Sequence, residues 1–128
     1  MPTSSIPSEC PFCRSNGLLE GEVVAEIAQG FLSRAAHGSA NYLIIPADHV
    51  ESPDRLPDDW WQSFKRLLAM MPDMPVSYNI SLNIGKNAGQ SVKHLHFWIV
   101  SREDGQPSSG KGLARLISEA NTPQGGDL

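Results

Sequence analysis

Hydrophobic and polar positions along this chain mostly alternate with the two-residue period of β-strands. Segments 22–28 and 31–33 predict a hairpin that turns near residues 29–30, and the apolar run 41–45 predicts a central strand. The alternating segments 76–84 and 89–100 predict two further strands. Short connections between several of these strands favour an antiparallel sheet of about five strands.

A single stretch carries the helical period instead. It begins near Pro57, which suits the first turn of a helix, and it stops at Pro72. A second, shorter helix is predicted around Leu113 and Ile117. Together with the strands, these elements predict an α+β fold with one main helix and a short C-terminal helix. The apolar stripe of the main helix consists of Trp60, Trp61, Phe64, Leu67, Leu68 and Met71.

Length, composition and charge restrict the class of protein. The chain of 128 residues fits one domain, and its 40% hydrophobic and 19% charged residues are ordinary for a globular protein. Its formal net charge of −4 argues against nucleic acid or an anionic membrane as a partner, because both favour a basic surface. There is no apolar run of membrane-spanning length, and the first residues lack signal-peptide features, so we expect a cytoplasmic protein.

The segment from Gly89 to Val100 carries the most chemistry. Read as a strand, it places His94, His96 and Trp98 on one face. The preceding Gly89-Gln90-Ser91 offers backbone N–H groups, an amide and a hydroxyl that can hold an anion beside a histidine nucleophile. This combination predicts chemistry at phosphorus.

Residues 88–96, Ala-Gly-Gln-Ser-Val-Lys-His-Leu-His, resemble the signature of the histidine-triad (HIT) family of nucleotide hydrolases and transferases. The strand followed by Pro46-Ala47-Asp48-His49 and segment 79–85 are also similar to that family. The resemblance implies a HIT-like domain at 10–120, between a flexible arm (1–9) and a flexible tail (121–128). It also implies a homodimer and a nucleotide or nucleotide conjugate as substrate.

The resemblance assigns roles to individual residues. His96 falls on the histidine that attacks the α-phosphorus and forms a nucleotidyl-histidine, a role that suits a neutral imidazole near pH 7. Trp98 and Asn41 stand where the family has histidines that act on the leaving group, and Ser33 stands at a ribose contact. Because Trp98 cannot shuttle a proton, a nucleotide-binding or sensing protein with little turnover is the alternative. The remaining predicted substrate contacts are Asn83, Gly89, Gln90 and Ser91.

A second group of residues has the composition of a metal site. Cys10-Pro11-Phe12-Cys13 alone fits either a redox pair or a metal ligand pair. With His49 and His94 it supplies the four ligands of a closed, structural Zn²⁺ site, as in a bacterial subgroup of the HIT family. Free thiols remain the alternative. The fourth histidine of the chain, His37, is interpreted as a surface residue.

Overall fold

The computed structural model describes residues 8–36 and 41–123 and contains a single five-stranded antiparallel sheet. Most of the predicted arm (residues 1–7), the end of the predicted tail (124–128) and His37 lie outside the described residues. The sheet order is β1-β2-β3-β5-β4. The α+β fold class and the strand number predicted from the sequence are confirmed. The strands are β1 (Val23–Ile27), β2 (Gly30–Arg34), β3 (Tyr42–Pro46), β4 (Tyr78–Leu82) and β5 (Phe97–Ser101).

The two faces of the sheet carry separate hydrophobic clusters because strand side chains alternate. Helix α1 (Trp60–Leu68) packs on one face, where Phe64 and Leu67 are fully buried against Ile44 and Ile99. On the other face Phe31, Leu43 and Ile45 form a smaller cluster. Phe12, Leu19, Val23 and Trp98 pack against this smaller cluster. The N-terminal segment (residues 8–22) therefore covers the face of the sheet opposite helix α1.

Helix α1 is shorter at both ends than the predicted helix, which ran from near Pro57 to Pro72. It begins at Trp60, because Pro57 and the two aspartates after it form a turn in which the Trp60 N–H donates to the Pro57 carbonyl. Asp59 is the N-cap residue, but its carboxylate accepts from Gln29 instead of capping the helix. After Leu68 the chain continues as turns to Met71, since Pro72 disfavours helical backbone in the residue before it.

The prediction of one strand from residue 89 to 100 is wrong in its first half. Strand β5 begins only at Phe97, and residues 91–96 ahead of it are irregular, with a bend at 92–94. The Leu95 N–H donates to the Val50 carbonyl, which lies outside the sheet. This contact replaces a ladder hydrogen bond, so the segment leaves the sheet before Phe97, while His94 and His96 both lie against the Phe12 ring.

Helix α2 (Leu113–Ala120) confirms the predicted short C-terminal helix. None of its residues is buried, and Leu113 and Ile117 are exposed. The loop before it is anchored by Arg102, which donates to Asn79 Oδ1 and to the carbonyls of Ser108 and Lys111. Among the described residues, no helix is long and apolar enough to cross a membrane.

Candidate active site and metal cluster

The four predicted metal ligands lie close together, where the N-terminal segment meets His49 and His94. One ligand atom from each of Cys10, Cys13, His49 and His94 lies within 4.8 Å of the others. The His94 Nδ1 atom is 3.5 Å from both sulfur atoms, and the His49 Nδ1 atom is 3.2 Å from the Cys13 Sγ and from the His94 Nδ1. Both cysteines are free thiols and buried. The structure therefore brings together residues from three distant parts of the sequence.

Hydrogen bonding fixes which nitrogen of His94 faces this cluster. Its Nε2 atom is 2.8 Å from the carbonyl oxygen of Pro46. Because a carbonyl can only accept, Nε2 carries the hydrogen and the Nδ1 lone pair points at the two cysteines. Burial lowers the pKa of His94 to about 4, and burial together with the Cys10 thiol raises the pKa of Cys13 to about 12. These shifts favour the neutral imidazole of His94 and the protonated thiol of Cys13.

His96 is also held by a backbone carbonyl, but through its other ring nitrogen, Nδ1. Its Nδ1 atom is 2.8 Å from the carbonyl oxygen of His94, so Nδ1 donates and Nε2 keeps its lone pair. No group in the described part of the chain is hydrogen-bonded to Nε2. Burial lowers the pKa of His96, and the bond to the His94 carbonyl offsets part of that effect. The imidazole is therefore kept neutral with one available nitrogen, the state a histidine nucleophile requires.

His96 lines a cavity of about 300 Å³ between the sheet and the N-terminal segment. Ser33, Ser91 and Trp98, all predicted substrate contacts, line the same cavity. The Ser33 hydroxyl is fully buried and already donates to the Arg34 carbonyl, so towards a ligand it can only accept. The rest of the lining is largely apolar and comes mainly from the N-terminal segment: Pro11, Phe12, Leu18, Leu19, Glu20, Gly21, Arg34, Ala36, Leu43 and Val92.

The other four predicted substrate contacts do not line this cavity. Asn83 lies beside Gly89, which has a left-handed backbone conformation. The Asn83 amide nitrogen is 3.4 Å from the position that a Gly89 Cβ atom would occupy. Gln90 accepts from the Gly85 N–H and donates to the Glu51 carbonyl, which holds the Gly85–Gly89 turn in place. Asn41 accepts from the Ser101 N–H. Gln90 and Asn41 are thus engaged in bonds within the protein.

Several residues of the site carry no strong signal in the sequence. The Pro46 and His94 carbonyls orient the two histidines, but backbone acceptors have no residue signature. The cavity wall 18–21 looks like an ordinary linker. Phe12 lies between two candidate ligands in the sequence, but that position does not show that its ring contacts His96.

Comparison with known proteins places this chain in a family. The HIT domain profile matches residues 28–105. An uncharacterized HIT-like protein from Methanocaldococcus jannaschii is 31% identical over 107 residues, covering 75% of this chain and 81% of that protein. An adenosine 5′-monophosphoramidase from Schizosaccharomyces pombe is 28% identical over 111 residues, covering 80% of this chain and 81% of that protein.

A solved structure gives the same result for the fold. A zinc-bound histidine triad family protein from Mycobacterium smegmatis superposes with a TM-score of 0.65 at 22% identity, covering 81% of this chain and 83% of that chain. The HIT-like fold predicted from the motif is confirmed. On the profile match and the archaeal relative together, the chain belongs to the HIT domain family.

Proposed function

We propose that this protein is a nucleotide hydrolase or transferase that acts at the α-phosphate of a nucleotide conjugate through a covalent intermediate on His96. The observation that carries the proposal is the geometry of His96, whose Nδ1 is bonded to a backbone carbonyl while Nε2 stays available at a cavity. Membership of the HIT family and the relatives named adenosine 5′-monophosphoramidase support a nucleotide substrate.

The reaction proceeds in two displacements. The His96 Nε2 lone pair attacks the α-phosphorus, a P–N bond forms, and the bond from phosphorus to the leaving group breaks with its electron pair. Water or another acceptor then attacks the same phosphorus, releases the nucleotide and restores neutral His96. Ser91 lines the cavity and would hold the phosphate. Gly89, two residues earlier, and Asn83, which lies beside Gly89, would add contacts to the same phosphate, and Ser33 would accept from the ribose.

The lining of the cavity limits the leaving group. Its titratable residues, within the described ranges, are Glu20, Arg34 and His96, so no second histidine stands ready to protonate a departing group. Trp98 can donate one hydrogen bond but cannot exchange a proton at neutral pH. We therefore expect mixed anhydrides and dinucleoside polyphosphates, whose leaving groups depart as anions, to react faster relative to phosphoramidates.

Hydrolysis of adenosine 5′-phosphoramidate and of an adenylyl mixed anhydride by the wild type, His96→Ala and Lys93→Ala tests the function. Lys93 is a matched control because it lies in the same segment and is exposed outside the cavity. Loss of His96 should lower kcat at least about 1000-fold, the scale of losing a nucleophile. Equal turnover by wild type and His96→Ala would contradict the mechanism.

The alternative is a nucleotide-binding or sensing protein with little turnover, and Trp98 and Asn41 are the residues that favour it. Tight nucleotide binding by the wild type with no hydrolysis and no adduct would establish it. If the protein is an enzyme, replacing Trp98 and Asn41 together with histidine should speed the hydrolysis of phosphoramidates more than that of anhydrides. An equal effect on both substrates would remove Trp98 from the leaving-group side.

We propose Zn²⁺ as the ion held by the four-ligand cluster. With bonds of about 2.3 Å to sulfur and about 2.0–2.1 Å to nitrogen, tetrahedral zinc separates its ligand atoms by about 3.3–3.8 Å. Four of the six ligand-atom pairs are 3.2–3.5 Å apart, close to that range, and the whole quartet lies within 4.8 Å. Four protein ligands leave no open position, so the metal would be structural, joining the N-terminal segment to the sheet.

Metal analysis tests this assignment against a redox pair. The purified protein should contain one zinc ion per chain, and Cys13→Ser should reduce that content. Metal-free protein with a Cys10–Cys13 disulfide as its native state would instead establish the redox alternative.

We further propose a homodimer in the cytoplasm. Strand β4 is an edge of the sheet, and Ile80 on it is 45% exposed, an arrangement that favours pairing with a second chain. Light scattering after size exclusion should give twice the chain mass, and a monomeric mass at micromolar concentration would contradict this proposal.

A further inference from the structure

The Cys10–Cys13 loop contributes more than two sulfur ligands, because it also forms a wall of the cavity. Phe12, between the two cysteines, lies with its ring centroid 4.8 Å from that of His96 at an interplanar angle of 61°. The same ring is 6.1 Å from His94. Phe12 is half-buried and lines the cavity with His96. One aromatic side chain thus contacts both the candidate nucleophile and a metal ligand.

His96 has few other restraints on its orientation. Its one side-chain hydrogen bond among the described residues goes to the His94 carbonyl, and this single contact is what keeps the hydrogen on Nδ1. The flanking rings hold the imidazole where it makes this bond: the Phe12 ring lies 4.8 Å from it, and the Trp98 ring lies 6.3 Å from it at 62°. Edge-to-face aromatic contacts of this kind have preferred angles, so they define the direction in which Nε2 points.

Phe12 is itself held by the loop that carries the metal ligands. The Asn16 side chain donates to the Cys10 carbonyl at 2.9 Å, and the Asn16 N–H donates to the Cys13 carbonyl at 2.9 Å. Below the loop, Phe12 packs on the cluster of Phe31, Leu43 and Ile45. The position of the Phe12 ring therefore depends on the conformation that Cys10 and Cys13 adopt around the cluster.

We propose that Phe12 is a positioning residue for His96, and that through Phe12 and the His94 carbonyl the occupancy of the metal cluster sets the orientation of the nucleophile. The kinetic consequence rests on the proposed function of His96. The structural consequence, an imidazole whose orientation responds to the metal, does not. A structural metal site would then also control the orientation of the His96 imidazole in the active site.

Phe12→Leu tests the proposal, with Phe12→Tyr as the conservative variant and Trp61→Leu as the matched control. Trp61 is an exposed aromatic residue on α1, on the opposite face of the sheet from the cavity. Metal content is measured first, so that only zinc-loaded Phe12→Leu is compared. We expect kcat to fall about 10- to 100-fold, since small misplacements of a reacting group have effects of this size, with KM changed less than about threefold. Phe12→Tyr should retain most of the wild-type kcat, and Trp61→Leu should leave the wild-type kcat unchanged.

A second readout does not depend on turnover. Imidazole ¹⁵N shifts at pH 8 report the tautomer of His96, which we expect to be the Nδ1–H form in the loaded wild type. Phe12→Leu should give a mixture of tautomers, and chelation of zinc from the wild type should give the same change. Chelation should alter His96 less in Phe12→Leu than in the wild type, because the coupling is already lost.

A zinc-loaded Phe12→Leu variant with wild-type kcat and wild-type His96 shifts would overturn the proposal. So would a fall in kcat that appears only when the variant has lost its metal. If the wild type hydrolyses none of the nucleotides, the proposed function fails, and the ¹⁵N shifts still decide the role of Phe12.

Discussion

Gly21 lies where the N-terminal segment crosses strand β2, and replacing it with alanine should push the two apart. A Cβ atom at this position would stand 2.1 Å from the Arg34 carbonyl oxygen and 2.7 Å from the Ser33 Oγ. The first distance is about 1.3 Å shorter than the 3.4 Å at which ordinary contact begins. Because the opposing atom is backbone, rotation of a side chain cannot relieve the clash, and the segment itself must move.

The expected cost is that of overpacking, about 1–3 kcal/mol. At about 4 °C per kcal/mol for a domain of this size, Gly21→Ala should lower Tm by about 4–12 °C. The displaced segment carries Glu20 and Leu19 of the cavity wall, so turnover should fall as well. Thermal unfolding followed by circular dichroism measures the first effect, and steady-state hydrolysis measures the second.

Gly112→Ala is the matched control, since no heavy atom lies within 4 Å of its Cβ position. It begins α2 as the N-cap residue, where alanine should cost no more than about 1 kcal/mol. If Gly21→Ala unfolds at the wild-type temperature, the N-terminal segment does not pack against β2 as described, and the cavity has no fixed wall on that side.

Three further predictions concern the core, the nucleophile and the loop before α2. Phe64→Ala removes a fully buried ring that contacts Phe97, and urea unfolding should show a loss of about 3–5 kcal/mol; a loss below about 1 kcal/mol would contradict the packing. Since burial lowers the pKa of His96 from its ordinary value of 6.5, and only the neutral ring attacks, the acid limb of kcat/KM should be centred below pH 6.5; an acid limb centred above pH 6.5 would refute this. Arg102→Ala should speed amide exchange across 102–112 because the loop loses three acceptor contacts, and exchange at the wild-type rate would show that Arg102 does not anchor it.

The local patterns of the sequence were sufficient for most of the fold. The apolar run ending at Pro46 is β3, and the segments on either side of Gln29-Gly30 are β1 and β2. These predictions succeed because each rests on a pattern of apolar residues within a few positions, either alternating or continuous, which burial of one or both faces of a sheet dictates directly. The Cys-x-x-Cys spacing, together with the resemblance to a bacterial subgroup of the HIT family, likewise predicted the quartet that the structure brings together.

The remainder depends on contacts between distant residues, which alternation does not encode. The histidine segment departs from a strand because Leu95 bonds to Val50 and His94 bonds to Pro46, residues more than 40 positions earlier. Similarly, the engagement of Gln90 with the Glu51 carbonyl removes an amide that the sequence offered to a phosphate. Only the folded chain shows that Phe12 faces His96.

The central claim is that His96 forms a covalent bond to the α-phosphorus, and intact-mass spectrometry after rapid acid-free quenching tests it most directly. When excess adenosine 5′-phosphoramidate or an adenylyl mixed anhydride is mixed with the protein, the chain should gain the mass of one adenylyl group. Fragmentation should place that group on His96, and His96→Ala should gain nothing. Turnover of the substrate by a chain that never carries the group, or an adduct on any other residue, would contradict the account.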